Sequence, residues 1–280
     1  MKNQDYQEIL KAIRGFRGLT RDCAMMLIST FKGHLPLALY SILSQEIQNK
    51  TKIAHRNLYS RDIDYYDTFS KAVMSGQPPG ILLRMAVQLD TCPALLARKV
   101  LELCYKTENS TSVSKMMRDT TLIDHKDLAL DVYLCILYDD QYGPLATAIS
   151  ESVGEEYESI LENHLIQSGI SFLDESHLRT RGFDKTPDCK LAIPVAVGDF
   201  VINWIESKAQ FGSAEIHKKY TQEQFLSYWN RFGPGLVIYW FGFLDDLDQS
   251  SESKFIIMDH FPKNINRLDP NSLKISSCDA

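Results

Sequence analysis

Two β-type runs, TPDCKLAIPVAV and FVINWIESKAQF, meet across the two-residue link Gly198-Asp199. A tight link containing Gly between two such runs predicts a β-hairpin, because Gly accepts the positive φ of a turn that matches strand twist. Side chains alternate along a strand. Ile202, Trp204, Glu206 and Lys208 are therefore expected on one face of the second strand, and Val201, Asn203, Ile205 and Ser207 on the other. Both runs are largely apolar, so the sheet should be covered on both sides.

That placement makes Glu206 and Lys208 costly unless something compensates them. Asp188 starts the neighbouring strand, and hairpin pairing brings it toward Glu206. Two close carboxylates repel each other. A divalent cation removes the conflict, and an oxygen-only ligand set suits Mg²⁺ or Mn²⁺. A carboxylate-bound metal polarises a scissile phosphate and lowers the pKa of a bound water. Lys208 is suited to stabilising the developing charge or orienting that water. Singly, Asp188 is an ordinary strand-start residue, and Glu206 with Lys208 is an ordinary surface pair. The joint pattern of acid, hairpin, then Glu-Ser-Lys on one face favours a metal site.

Upstream of the hairpin the chain reads as helical. Ile9, Leu10 and Ile13 recur at helical spacing, Thr20 is a candidate cap for the next helix, and Pro36 opens a third. The basic stretch Gln48 to Arg61 extends that helix or links it onward. A second helical pair follows the break at Pro78-Pro79-Gly80: ILLRMAVQL, a turn, then ALLARKVLELCY. These pairs resemble helix-turn-helix units. Arg98 and Lys99 lie beside an apolar stripe, the layout of a recognition helix that contacts DNA, although exposed basic residues on a helical scaffold have the same pattern. Glu108 to Val113 reads as a polar loop, and Lys126 to Tyr138 as a helix. From about residue 145 the grammar changes to helix, strand, strand, helix, strand, which is an α/β unit after an α region. The expected division is 1–145 helical and 146–280 α/β, α+β overall.

Charge follows the same division. Residues 1–119 carry 17 Lys and Arg against 11 Asp and Glu, and the remainder 13 against 25. A basic first part and an acidic second part suit phosphate docking in one and cation holding in the other, as well as two ordinary solvated surfaces. The six cysteines form no CxxC pair and sit mostly in apolar helical stretches, so buried thiols in a reducing compartment are expected rather than structural zinc. The N-terminal stretch lacks an apolar signal-peptide core, and no run of about 18 apolar residues occurs. Cytoplasm or nucleus follows by elimination.

Downstream, a helix at about Lys218 to Phe232 puts Gln224, Tyr228 and Arg231 on one face. Gly233-Pro234-Gly235 stops it before the buried strand LVIYWFGF. The acidic turn Asp245 to Asp248 reads as a solvated loop.

With Pro187-Asp188 followed by Glu206-Ser207-Lys208, the chain resembles the PD-(D/E)XK nuclease superfamily. That resemblance implies a restriction-endonuclease-like core with a mixed sheet, Mg²⁺ (or Mn²⁺) dependence, and hydrolysis of nucleic acid, expected to be DNA. RNA would be cut at the same kind of site. Archaeal Holliday-junction resolvases in the superfamily often begin the core with Gly and, four residues later, Glu. Gly154 and Glu158 match, which makes Glu158 the candidate third acid and metal ligand. By the same analogy Gln224 orients water or phosphate, and Tyr228 and Arg231 contact the nucleic acid. For Tyr228, a core aromatic is the competing explanation, and for Arg231 a helix C-terminal cation. The blocks SFLDE, GFDKTPD, PVAV, WIESKA and SYWNRFGPGLVIYW resemble a branch whose members act with codanin-1 in erythroid or chromatin-related processes. This implies codanin-1 as a partner and a place in nucleus and cytoplasm. A catalytically weak scaffold acting through protein binding is the alternative.

Overall fold

The computed structural model describes residues 1–60, 63–106, 110–247 and 254–267. Arg61, Glu108, Asp248 and Cys278 lie outside the described residues. The chain divides into two compact units, residues 7–152, and residues 1–6 with 153–280.

The first unit is built from helices. In chain order they are α1 (Asn3–Gly15), α2 (Thr20–Thr30), α3 (Pro36–Ser60), α4 (Tyr65–Met74), α5 (Ile81–Leu89), α6 (Pro93–Cys104), α7 (Ser110–Arg118), α8 (Lys126–Tyr138) and the start of α9 (Pro144–Gln167). Thr20 is the first residue of α2 rather than its cap, a position taken by Leu19. Pro36 does open α3, and the basic stretch continues it. Ser110 to Val113 begins a helix instead of belonging to a loop. Its Ser and Thr residues are indifferent helix formers, but Val113 and Met117 are four apart and both buried, and that packing decides the conformation.

Helix α6 lies at the centre of this unit. It packs against α3, α4, α5, α7 and α8 and buries Leu96, Ala97, Val100 and Leu101 completely. A recognition helix needs a free face for a DNA groove, and α6 has neighbours on most of its circumference. Lys99 instead sets its ammonium 4.3 Å above the Tyr59 ring, and Arg98 donates to Ser114 Oγ at 3.2 Å.

Two buried aspartates fix the N-termini of α5 and α6. Asp131 accepts from the backbone N–H groups of Leu82 (2.9 Å) and Gly80 (3.3 Å). Asp139 accepts from those of Ala94, Gln141 and Tyr142, each at 2.9 Å. Helix starts leave donors without intrahelical partners, and the two carboxylates supply acceptors for them. Asp139→Ala is expected to destabilise the protein by about 1–3 kcal/mol in denaturant unfolding, with Asp139→Asn recovering part of the loss. Equal stability of wild type and the Ala variant would show that the caps carry no weight.

The second unit is α/β. After α9 come β1 (Phe172–Asp174), α10 (Glu175–Thr180), β2 (Cys189–Val197), β3 (Phe200–Lys208), α11 (Ala214–Tyr220), a π-helical turn (Thr221–Phe225), α12 (Leu226–Phe232), β4 (Gly235–Tyr239), β5 (Phe255–Met258) and β6 (Ile265–Arg267). The stretch between α9 and β2 reads as a linker in sequence. β1 and α10 are too short for their periodicity to show.

The sheet is mixed, in the order β1-β2-β3-β4-β5, with β6 also paired to β2. β1, β2 and β3 are antiparallel neighbours, whereas β3, β4 and β5 run parallel. One face packs Leu161 and Leu165 of α9 against Ile205, Leu236 and Ile238. On the other, Trp204 meets Phe225, Tyr228 and Phe255. β4, covered on both faces, is buried throughout. Ile202 departs from the simple alternation, since it joins the cluster of Ile205 rather than the side of Trp204. A register shift in β2 between Lys190 and Val195 lies opposite this point and breaks the period of two. Among the described residues, no helix is long and apolar enough to cross a membrane. Cys23, Cys92, Cys135 and Cys189 are buried free thiols.

Candidate active site

The hairpin register pairs Cys189 with Ile205, which sets Asp188, the residue before β2, across from Glu206. The backbone N–H of Asp188 donates to Glu206 Oε2 at 3.3 Å, and that of Ser207 donates to Asp188 Oδ2 at 2.6 Å. Lys208 Nζ stands 2.6 Å from Glu206 Oε1. Glu206 is 2% exposed. Two acids and one ammonium thus share a space where hydration is scarce.

Their electrostatics follow from that crowding. Loss of hydration, and then the charge of Glu206, push the Asp188 carboxyl well above the usual carboxylate range. Burial also raises Glu206, although Lys208 opposes the shift. For Lys208, burial works against the ammonium, but Glu206 and then Asp188 outweigh it and hold its pKa above the ordinary value. Glu158 on α9 is raised by burial, then by the charges of Glu175 and Glu206, so it lies within electrostatic reach. It stands on the solvent-exposed side of α9 and loses only part of its hydration.

The loop that delivers Asp188 is tied down at several points. Thr186, 5% exposed, donates to Glu175 Oε1 at 3.2 Å. Lys185 Nζ donates to the backbone carbonyl of Glu223 at 2.6 Å. Arg231 donates to the carbonyl of Lys185 at 3.0 Å and pairs with Asp184 at 2.5 Å. Arg231 therefore braces the Asp188 loop. Tyr228 is 3% exposed and its ring packs edge-on against Trp204 at 5.3 Å, so it forms part of the wall beside the acids and offers no surface to a nucleic acid.

The helical side of the site is irregular. Tyr220 ends α11 with its ring centre 4.7 Å from Lys208 Nζ. The π-helical turn follows at once, and it holds two buried polar atoms without a partner, Thr221 Oγ1 and Gln224 Oε1. Single π turns are frequent at functional sites, and an unsatisfied buried acceptor is rare enough to need a cause.

Glu175 and Tyr220 escape notice in the sequence. Asp174 caps α10 through His177 N–H at 2.8 Å, and Glu175 pairs with Arg179 one turn on. An Asp-Glu start with Arg four residues later was the available signal.

The donor set admits a hard cation. Asp188 and Glu206 supply oxygens only, and two buried acids face a single ammonium. Among the described residues no three His, Cys, Asp or Glu side chains converge on one point. Mg²⁺ is commonly bound through one or two carboxylates in this way.

A family model described as "Protein of unknown function TPD sequence-motif" matches residues 124–261, which contain Thr186-Pro187-Asp188 and Glu206 to Lys208. The chain is 41% identical to CDAN1-interacting nuclease 1 of Xenopus laevis over 272 residues, 95% of this chain and 89% of that protein. It is 41% identical to the Homo sapiens protein of that name over 253 residues (88% and 90%), and 37% identical to the Gallus gallus one over 267 (93% and 94%). The chain belongs to the CDAN1-interacting nuclease 1 family. No solved structure matches it.

Proposed function

We propose that this chain is a divalent-metal-dependent nuclease of the PD-(D/E)XK superfamily, with a restriction-endonuclease-like core, that hydrolyses phosphodiester bonds of DNA. The observation that carries this reading is the buried group of Asp188, Glu206 and Lys208, with Lys208 Nζ 2.6 Å from Glu206. Asp188 and Glu206, with Glu158 as a third acid nearby, would hold Mg²⁺ or Mn²⁺. When bound, the metal supplies a polarised phosphate and a water acidified for attack. Lys208 carries a proton firmly and stabilises charge on the phosphate as it develops. Gln224, whose Oε1 has no partner among the described residues, accepts a hydrogen bond from water or orients the phosphate. Tyr220 covers one side of Lys208 and limits its hydration.

The relatives' names support a CDAN1 (codanin-1) partner. Action in nucleus and cytoplasm is a further part of the proposal. Basic residues of the helical unit are the proposed grip on the DNA backbone. A second reading is a weak or inactive nuclease-fold scaffold that works through CDAN1, the partner in the relatives' names.

The deciding experiment is a cleavage panel of single-stranded, duplex, flap and junction DNA with matching RNAs, run with Mg²⁺ or Mn²⁺. Wild type is expected to cut DNA only with metal, and Lys208→Ala to lose about 10²–10³-fold. Absence of cutting on every substrate, with retained binding to a CDAN1 fragment, would leave the scaffold reading standing.

A further inference from the structure

The helical unit contains a cleft of about 500 Å³ that the proposed cleavage centre does not use. Leu95, Met117 and Tyr142 give it apolar surface, and Arg98, Ser114 and Arg118 give it polar surface. Arg98 is half-buried on α6, and its bond to Ser114 Oγ (3.2 Å) holds the guanidinium at the cleft. Arg118 is exposed, and no ion pair or hydrogen bond engages its side chain among the described residues. Glu151 also lines the cleft and is likewise unpaired, so two guanidinium groups face one carboxylate. The first turn of α9, through Gly143, Pro144 and Thr147, lines the same space and adds the positive end of a 24-residue helix.

Planar guanidinium forks suit phosphate oxygens. A phosphate alone would leave most of the cleft empty, since spaces of about 300–1,000 Å³ take whole small ligands. The apolar surface provides a place for a ring, and Glu151 an acceptor for its N–H groups. We propose that this cleft binds one nucleotide carrying a terminal phosphate, with Arg98 and Arg118 on the phosphate and Leu95 and Tyr142 against the base. Two sources carry that chemistry, a free mononucleotide and the phosphorylated end of a strand. The site does not depend on the nuclease reading, because every residue in it belongs to the helical unit.

The test titrates the full chain, without divalent cation, using adenosine 5′-monophosphate, adenosine, inorganic phosphate, and one oligodeoxynucleotide with 5′-phosphate or 5′-hydroxyl. The phosphorylated form of at least one pair is expected to bind about tenfold tighter than its unphosphorylated counterpart. A gain with the free nucleotide identifies a mononucleotide site, and a gain with the oligonucleotide alone identifies a strand-end site. Arg118→Gln and Arg98→Gln should each remove that gain at unchanged melting temperature. Lys208→Ala should keep it, which separates this cleft from the carboxylate site. The proposal is overturned if phosphate adds no affinity in either pair, if inorganic phosphate binds as tightly as the nucleotide, or if Arg118→Gln binds like wild type while Lys208→Ala does not.

Discussion

Asp188→Asn is expected to lower metal-dependent cleavage by about 10²–10³-fold or more while raising the melting temperature of the metal-free protein at pH 7. The two effects share one cause. In the folded chain the Asp188 carboxyl is raised well above its ordinary range, by loss of hydration and then by Glu206. A group with a raised folded pKa contributes stability that is full below its unfolded pKa and is lost as pH rises through the folded value. At neutral pH, where the unfolded chain ionises this group freely, the carboxyl of Asp188 therefore costs the folded state stability. Asn carries no charge at any pH, and its side-chain oxygen still accepts from Ser207 N–H, a 2.6 Å bond in the wild type. The variant should show a flatter stability profile between acid and neutral pH, and Mg²⁺ should stabilise the wild type but not the variant. Thermal melts across pH, with and without Mg²⁺, report this independently of cleavage. A lower melting temperature at pH 7 would mean that Asp188 acts as an ordinary structural carboxylate.

Gly235→Ala is expected to destabilise the α/β unit by about 3 kcal/mol, the upper end of the usual overpacking range. A Cβ at Gly235 would lie 2.1 Å from Trp204 Cε2 and 2.5 Å from Cζ2. The indole has no room to retreat, being fully buried, with its Nε1 donating to Gly233 O at 2.8 Å. Its other neighbours, Phe225 and Tyr228, belong to the π-helical turn and α12 beside the acids. Any shift of Trp204 therefore disturbs that wall, and cleavage should fall with stability. Gly154→Ala is the contrasting change. It lies within α9 with nothing within 4 Å of the added methyl, and should gain about 0.5–1 kcal/mol from helix propensity. Denaturant midpoints for the two variants moving in the same direction would contradict this account.

The sequence by itself determined the hairpin. Gly198-Asp199 sets its link, and β2 and β3 end against it at Val197 and Phe200. It also put Glu206 and Lys208 on one face, because strand period is a local property. Turn length alone would pair Asp188 with Ala209, and the register shift in β2 between Lys190 and Val195 is what sets it across from Glu206. Helix α8 and the opening of α3 were legible for the same reason, since apolar periodicity is local, whereas the basic second half of α3 admitted two readings. Only the tertiary structure decided how much solvent each residue sees and which distant groups meet. Arg98 and Lys99 have the spacing of a groove-reading pair, but packing around α6 turned one to Ser114 and the other onto Tyr59. Helical spacing aligned Tyr228 and Arg231, yet one is closed in by Trp204 and the other holds the loop before Asp188. Glu175 reaches that loop through Thr186, eleven residues away, a contact no local pattern encodes. Local geometry could set the order of chemical groups along the hairpin, whereas their burial, and so their charge and reactivity, came from segments folded over them from elsewhere in the chain.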